Sequence, residues 1–171
     1  MNDDIIRPLM ISEKLPPSEV RRYSRKLGEE LAEQVAQELA NNSGVLFVFI
    51  LRGAMLLYPP FAVKFERASF TFVSSGTFTE TDCKDYDTVV IVDTVVDTGK
   101  TVTTTKKLLT DFGISAKRWF CVCVFAKDSV KAKISECFDA FFCLAFPEEF
   151  SMYIDAGQYA ACGDGAQIQR L

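Results

Sequence analysis

Residues 89–102 read VVIVDTVVDTGKTV. Val89 to Val92 are apolar and β-branched with no polar alternation, the pattern of a strand buried on both faces of a parallel sheet. The strand runs into Asp93, a short acidic and threonine-containing turn, and then Thr98-Gly99-Lys100-Thr101. Thr103 to Phe112 follow as a helix, with Leu108, Leu109 and Phe112 spaced to form one apolar stripe. Strand, tight glycine turn and helix N-terminus in that order build an anion site. Unpaired N–H groups point outward, the helix dipole favours negative charge, and Gly99 lets a phosphate approach the main chain. Asp93 and Asp97 would repel that phosphate and suit what lies beside it: sugar hydroxyls, a magnesium ion or a reacting proton. The loop is not the P-loop of nucleotide hydrolases, because Thr94 stands where G-x-x-x-x-G-K-[ST] requires its first glycine.

A chain of 171 residues is expected to fold as a single domain over 1–171 with room for a substantial core. Its 49% hydrophobic and 25% charged residues argue for a globular protein and against disorder. The formal net charge of −4 gives no support to nucleic-acid binding, which needs a basic face. No apolar run reaches membrane-spanning length, and MNDDIIRPLM lacks the charge and apolar core of a signal peptide, so a cytoplasmic protein is expected. The six cysteines show no C-x-x-C spacing, and Cys121 and Cys123 share one face of an apolar strand as small hydrophobes. With no histidine in the chain, acid–base work falls to carboxylates, lysine or tyrosine.

Residues 17–40 have the spacing of a long amphipathic helix, with Pro17 in the first turn, Ser18 as its cap and Asn41-Asn42-Ser43-Gly44 ending it. A buried strand from Val45 to Leu51 leads into Arg52-Gly53-Ala54, then a short helix to about Val63 that Pro59-Pro60 should break or kink. A strand from about Ser69 to Val73 precedes SSGTFTETDCKDYD, which reads as a mobile polar loop. Beyond the central motif come a strand from Arg118 to Phe125, a weak helix over 129–137 and a strand from Ala140 to Phe146. Strands alternating with helices predict an α/β fold: a doubly wound parallel sheet with ligands at the carboxyl ends of its strands. The terminal segments are expected to form a small cap over that edge.

Five places along the chain resemble the type I phosphoribosyltransferases, nearest the 6-oxopurine (hypoxanthine-guanine) branch. LMISEKL resembles that branch's L-I-S-E segment, LRGA at 51–54 its pyrophosphate loop L-K-G-[AG], and VSSGT at 73–77 its flexible catalytic loop. IVDTVVDTGKTV is similar to I-V-E-D-I-I-D-T-G-K-T-M, the loop that binds 5-phosphoribosyl 1-diphosphate (PRPP). VFAK at 124–127 and FPEEF at 146–150 resemble the lysine that reads the purine and the segment that stacks on it.

The resemblance implies an enzyme that joins PRPP to a nucleobase with magnesium as cofactor. It implies that the amides of Thr98, Gly99, Lys100 and Thr101 hold the 5′-phosphate, with Asp93 on a ribose hydroxyl and Thr94 in the same PRPP loop. Asp97 would sit near the purine N7, as general base or as a carboxylate stabilising the transition state. Arg52 and Gly53 would take pyrophosphate across a non-proline cis peptide. Lys127 would donate to the exocyclic oxygen, Phe150 would stack on the ring with Ser151 beside it, and Asp155 would hold the metal. A homodimer or homotetramer is implied, with no nucleic-acid or membrane partner.

The chain departs from that pattern at three points. Thr94 replaces the second acid of the E-D pair, Gly76 or Thr77 replaces the catalytic-loop tyrosine, and Asp155 lies five rather than seven residues after Phe150. The tail GQYAACGDGAQ is similar to that of uracil phosphoribosyltransferases, so a uracil enzyme stays open, as does a PRPP-binding regulator without activity. Asp97 and Lys127 favour the purine reading.

Overall fold

A computed structural model describes residues 16–39, 44–74, 77–78 and 84–146. Helix α1 (Pro17–Glu38) turns Val20, Leu27, Leu31 and Val35 inward at helical spacing. Pro17 occupies the first turn, where its missing N–H leaves nothing unsatisfied. Ser18 is already inside the helix and does not cap it; Pro16 is the N-cap and makes no side-chain bond. Strand β1 (Val45–Ile50) is buried at every residue. A 3₁₀ turn (Gly53–Leu56) leads into α2 (Tyr58–Lys64), so Pro59 and Pro60 begin that helix rather than kink it.

Strand β2 (Ser69–Ser74) is followed by β3 (Thr77–Phe78), which folds back antiparallel against Val73 and Ser74. The expected polar loop is therefore shorter than 74–87: its last three residues already belong to β4 (Asp85–Val92). Alternation explains the miss, since Tyr86 is buried while Asp85 and Asp87 face solvent. A two-residue strand, β5 (Val95–Val96), precedes α3 (Lys100–Asp111). Then come β6 (Ser115–Ala126), a 3₁₀ turn (Asp128–Val130), α4 (Lys131–Cys137) and β7 (Ala140–Ala145).

β1 pairs in parallel with β2 on one edge and β4 on the other, β4 pairs with β6, and β6 with β7. β5 continues the line of β4, because it pairs with Phe125 and Ala126 on the edge of β6 opposite β7. The sequence direction reverses between β1 and β4, whose carboxyl ends therefore flank the crevice where doubly wound folds bind ligands. This is the α/β parallel sheet read from the sequence. The proposed cap of terminal segments lies outside the described residues.

Each central strand sends alternate residues to two cores. Phe47, Phe49, Val90, Val92 and Phe120 meet α1 and α2 on one face, while Leu46, Val48, Ile91, Cys121 and Cys123 meet α3 and α4 on the other. Burial pushes the thiols of Cys121 and Cys123 well up, so both remain protonated packing groups as expected. The stripe of α3 differs from expectation: Val102, Thr105 and Leu109 are buried, and Phe112, just past the helix end, is 51% exposed. Among the described residues no helix is long and apolar enough to cross a membrane.

Phe61 anchors α2 to the sheet, with its ring centroid 5.3 Å from Phe47, 5.7 Å from Phe49 and 5.9 Å from Phe65. Phe61→Ala should lower unfolding stability by about 3–5 kcal/mol through lost transfer energy and an unfilled cavity. Lys64→Ala, which removes an exposed ion pair to Glu33 on α1, should change it by only about 0–1 kcal/mol. Urea unfolding midpoints of the two variants check the contrast.

Candidate active site

A cavity of about 450 Å³ opens at the carboxyl ends of β1 and β4. Its walls are the turn after β1 (Leu51, Arg52, Gly53), the residues after β4 (Asp93, Thr94) and the turn into α3 (Asp97, Thr98, Gly99, Thr101). Two stretches far apart in sequence, 51–53 and 93–101, thus meet at the topological switch point. The Leu51–Arg52 peptide is cis, which puts the expected cis peptide at this turn.

Asp93 is the first residue beyond β4. Its amide still donates to Val122 O at 2.9 Å, and its carboxylate accepts the Thr94 amide at 2.7 Å, which fixes the side chain at the rim. Thr94 is 6% exposed, and its carbonyl accepts from the amides of Val124 and Phe125. A Cβ built on Gly53 would lie 2.5 Å from Thr94 Oγ1, so residue 53 must be glycine for the two loops to touch. Thr94 lines the cavity, and its burial makes it the packing partner of the turn after β1.

Register brings Asp97 and Lys127 together. Val95 pairs with Phe125, Val96 pairs with Ala126, and the Lys127 amide donates to Val96 O at 3.2 Å, which leaves Asp97 and Lys127 opposite each other. Their side chains form an ion pair at the mouth of the cavity, 52% and 39% exposed. At that exposure the pair is worth only about 0–1 kcal/mol, so a ligand that matches both groups displaces it at little cost.

The turn into α3 holds Gly99 at φ 71°, in the left-handed region. A Cβ there would point at α4, 3.0 Å from Ile134 Cδ1 and 3.3 Å from Val130 Cγ2. Backbone conformation and packing against α4 therefore already require glycine at this position. Beyond it the helix starts at once, three residues earlier than expected, and Thr103 Oγ1 donates to Gly99 O at 2.9 Å. The Lys100 amide donates to Thr98 Oγ1 at 3.3 Å, and the Lys100 side chain faces solvent rather than the cavity. Among the described residues no backbone acceptor takes the amides of Thr98, Gly99 or Thr101.

Two features of the site had no signal in the sequence. β5 is too short to show a period. Lys133 lies in a short polar helix where it reads as one more solvated charge, yet its Nζ donates to Thr98 O at 2.7 Å. Phe150, Ser151 and Asp155 lie outside the described residues, as do LMISEKL, FPEEF beyond Phe146, and the GQYAACGDGAQ tail.

Among the described residues no three His, Cys, Asp or Glu side chains converge as a metal cage. The cavity offers two carboxylates, Asp93 and Asp97, with threonine hydroxyls beside them. That donor set fits magnesium, which is usually held by one or two carboxylates together with substrate phosphates. It does not fit zinc, which prefers nitrogen and sulfur.

The architecture and the place of its cavity define a class: the chain has the fold of the type I phosphoribosyltransferases, purine and pyrimidine enzymes alike. The xanthine-guanine-hypoxanthine phosphoribosyltransferase of Helicobacter pylori is similar at 27% identity with a TM-score of 0.51, over 72% of this chain and 82% of that one. The orotate phosphoribosyltransferase of Aeropyrum pernix superposes with a TM-score of 0.55 at 16% identity, over 71% of this chain and 70% of its own. The AQ2163 protein of Aquifex aeolicus reaches a TM-score of 0.67 at 16% identity, over 83% and 81%. No family model matches the chain, and no curated protein is similar to it in sequence.

Gly99→Ala should lower stability before any ligand is added, by about 1–3 kcal/mol for a side chain in the left-handed region. The contact with Ile134 Cδ1 adds to that loss. Thermal unfolding of the ligand-free variant reads it directly. An unchanged midpoint would mean that the turn adopts another conformation in solution.

Proposed function

We propose that this chain, acting as one domain, transfers the 5-phosphoribosyl group of PRPP to a 6-oxopurine, hypoxanthine or guanine, and releases pyrophosphate. The observation that carries this reading is the pairing of Asp97 with Lys127 beside the first amides of α3. The resemblance of both residues and of the loop between Asp93 and Thr101 to the 6-oxopurine branch supports it.

In this reading the Thr98, Gly99 and Thr101 amides take the 5′-phosphate, helped by the positive end of the α3 dipole. Asp93, already anchored by the Thr94 amide, accepts from a ribose hydroxyl. The turn at Arg52 and Gly53 receives the pyrophosphate across the cavity. Magnesium, when bound with the diphosphate, offsets the charge of the leaving group, and Asp93 and Asp97 are the carboxylates that would hold it; Asp155 completes the proposed set. Phe150 and Ser151 are assigned to the base.

Departure of pyrophosphate leaves positive charge at C1′, and a fixed carboxylate nearby stabilises that charge. A purine presents an oxygen and a neighbouring ring N–H to the Lys127–Asp97 pair. Lys127 donates to the oxygen, and Asp97 accepts from N7–H and takes that proton as N9 bonds to C1′ and the C1′–pyrophosphate bond breaks. Adenine offers an amino donor where Lys127 needs an acceptor, and a buried mismatch of that kind costs about 1–3 kcal/mol. Self-association into a dimer or tetramer belongs to the same reading. Exposed Met55 and Val63, beside the groove between α1 and α2, support it.

With PRPP and magnesium, purified protein should convert hypoxanthine and guanine to their monophosphates and leave adenine unchanged. Asp97→Asn should reduce kcat by about 10²–10⁴-fold with little change in PRPP affinity. Lys127→Ala should raise KM for the purine more than for PRPP. Efficient uracil turnover that survives Lys127→Ala would overturn the purine assignment. PRPP binding without turnover of any base would favour a regulatory protein.

A further inference from the structure

The assignment of the Gly99 amide to a phosphate leaves open what aims that amide. In a trans peptide the carbonyl and the following N–H lie in one plane and point in opposite directions. The Thr98 carbonyl is turned to α4, where Lys133 Nζ meets it at 2.7 Å. The Gly99 N–H, the other end of the same peptide, is thereby directed away from α4, toward the cavity that Thr98, Gly99 and Thr101 line. A second contact acts on the same turn, since the pro-Cβ side of Gly99 rests on Ile134 and Val130. Ile134 is fully buried, so α4 is a fixed platform rather than a loose neighbour.

From this geometry we infer that Lys133 is a positioning residue for the phosphate turn. Its ammonium holds the Thr98–Gly99 peptide in the orientation that presents the Gly99 amide to an anion, and it does so without touching the ligand. A charge-assisted bond to a carbonyl is stronger than a neutral one, and here it also draws electron density toward the carbonyl oxygen. The amide hydrogen at the far end of the peptide becomes a better donor as a result. Rotation of this peptide would instead turn a carbonyl oxygen toward the phosphate, so its orientation decides whether the turn attracts or repels the anion.

The inference rests on the PRPP reading for its ligand, and the experiment separates the two. Lys133→Met keeps the length and apolar stem of the side chain and removes the charged donor; Lys133→Arg restores a cation. Lys133→Met should weaken PRPP binding, read by calorimetry, by about tenfold, the loss expected when the Gly99 amide no longer donates its charge-assisted hydrogen bond to the phosphate. KM for PRPP should rise in step while KM for the base and the thermal midpoint stay near wild type, and Lys133→Arg should recover most of the loss. The Gly99 amide in the ligand-free protein, followed by nuclear magnetic resonance, should shift and exchange faster in Lys133→Met. PRPP affinity within twofold of wild type, or an equal rise in KM for PRPP and base, would overturn the assignment. If wild-type protein fails to bind PRPP, the functional reading falls. Titration of inorganic phosphate against the Gly99 resonance in wild type and Lys133→Met then decides the role of Lys133 alone: equal responses refute it, and a weaker one in the variant upholds it.

Discussion

Strand β6 is paired to β4 and then to β5 along one edge and to β7 along the other, so its register is set from both sides. A shift of one residue would turn Cys121 and Cys123 from the α3–α4 core to the α1–α2 core and exchange them with Phe120 and Val122. Packing therefore excludes the shift, and the end of the strand inherits that certainty. Asp97 and Lys127 face each other at the cavity mouth because the buried residues several positions earlier admit only one alignment. The polar pair is weak by itself; the apolar sheet beneath it supplies the precision.

The site carries charges of both signs in a protein whose net charge is −4: Asp93, Asp97 and Arg52 line the cavity, and Lys127 is paired with Asp97. At physiological ionic strength charges more than about 8 Å apart on the surface are largely screened, so an anion in the cavity would respond to the groups that line it. Those are Arg52, Asp93, Asp97 and the amides at the start of α3, with Lys127 paired to Asp97 and Lys133 behind the turn. The overall acidity argues against a long polyanion lying across the surface. It carries no weight against a compact one in the cavity between the turns after β1 and β4.

The sheet was legible because strands buried on both faces leave an apolar signature that local sequence preserves, as in VLFVFI and VVIV. The order of strand, glycine turn and helix after β4 was legible because a glycine turn and a helix start are set largely by the local backbone. What escaped was decided across elements. The αL turn at Gly99 has a packing reason that local sequence does not show: Val130 and Ile134, from the 3₁₀ turn and α4 some thirty residues later, occupy its Cβ side. Phe112 fits a helical stripe by spacing, yet α3 ends at Asp111 and its ring is left largely outside. Lys133 has no local pattern at all, and only the approach of α4 to the turn gives it a partner.

Thr94 shows how a departure from a family's motif follows from the packing of one chain. Position 94 is nearly enclosed and lies against Gly53, with Asp93 immediately before it. A carboxylate there would be desolvated and beside a like charge, and each effect raises the cost of ionisation. A threonine instead fills the space with a methyl and a hydroxyl. Its side chain contacts the turn after β1, while its carbonyl ties the same residue to β6. The second acid is thereby exchanged for a mechanical link between the loops at the ends of β1 and β4. Asp93 then remains as the carboxylate at that rim, oriented by the amide of the residue that replaced its partner.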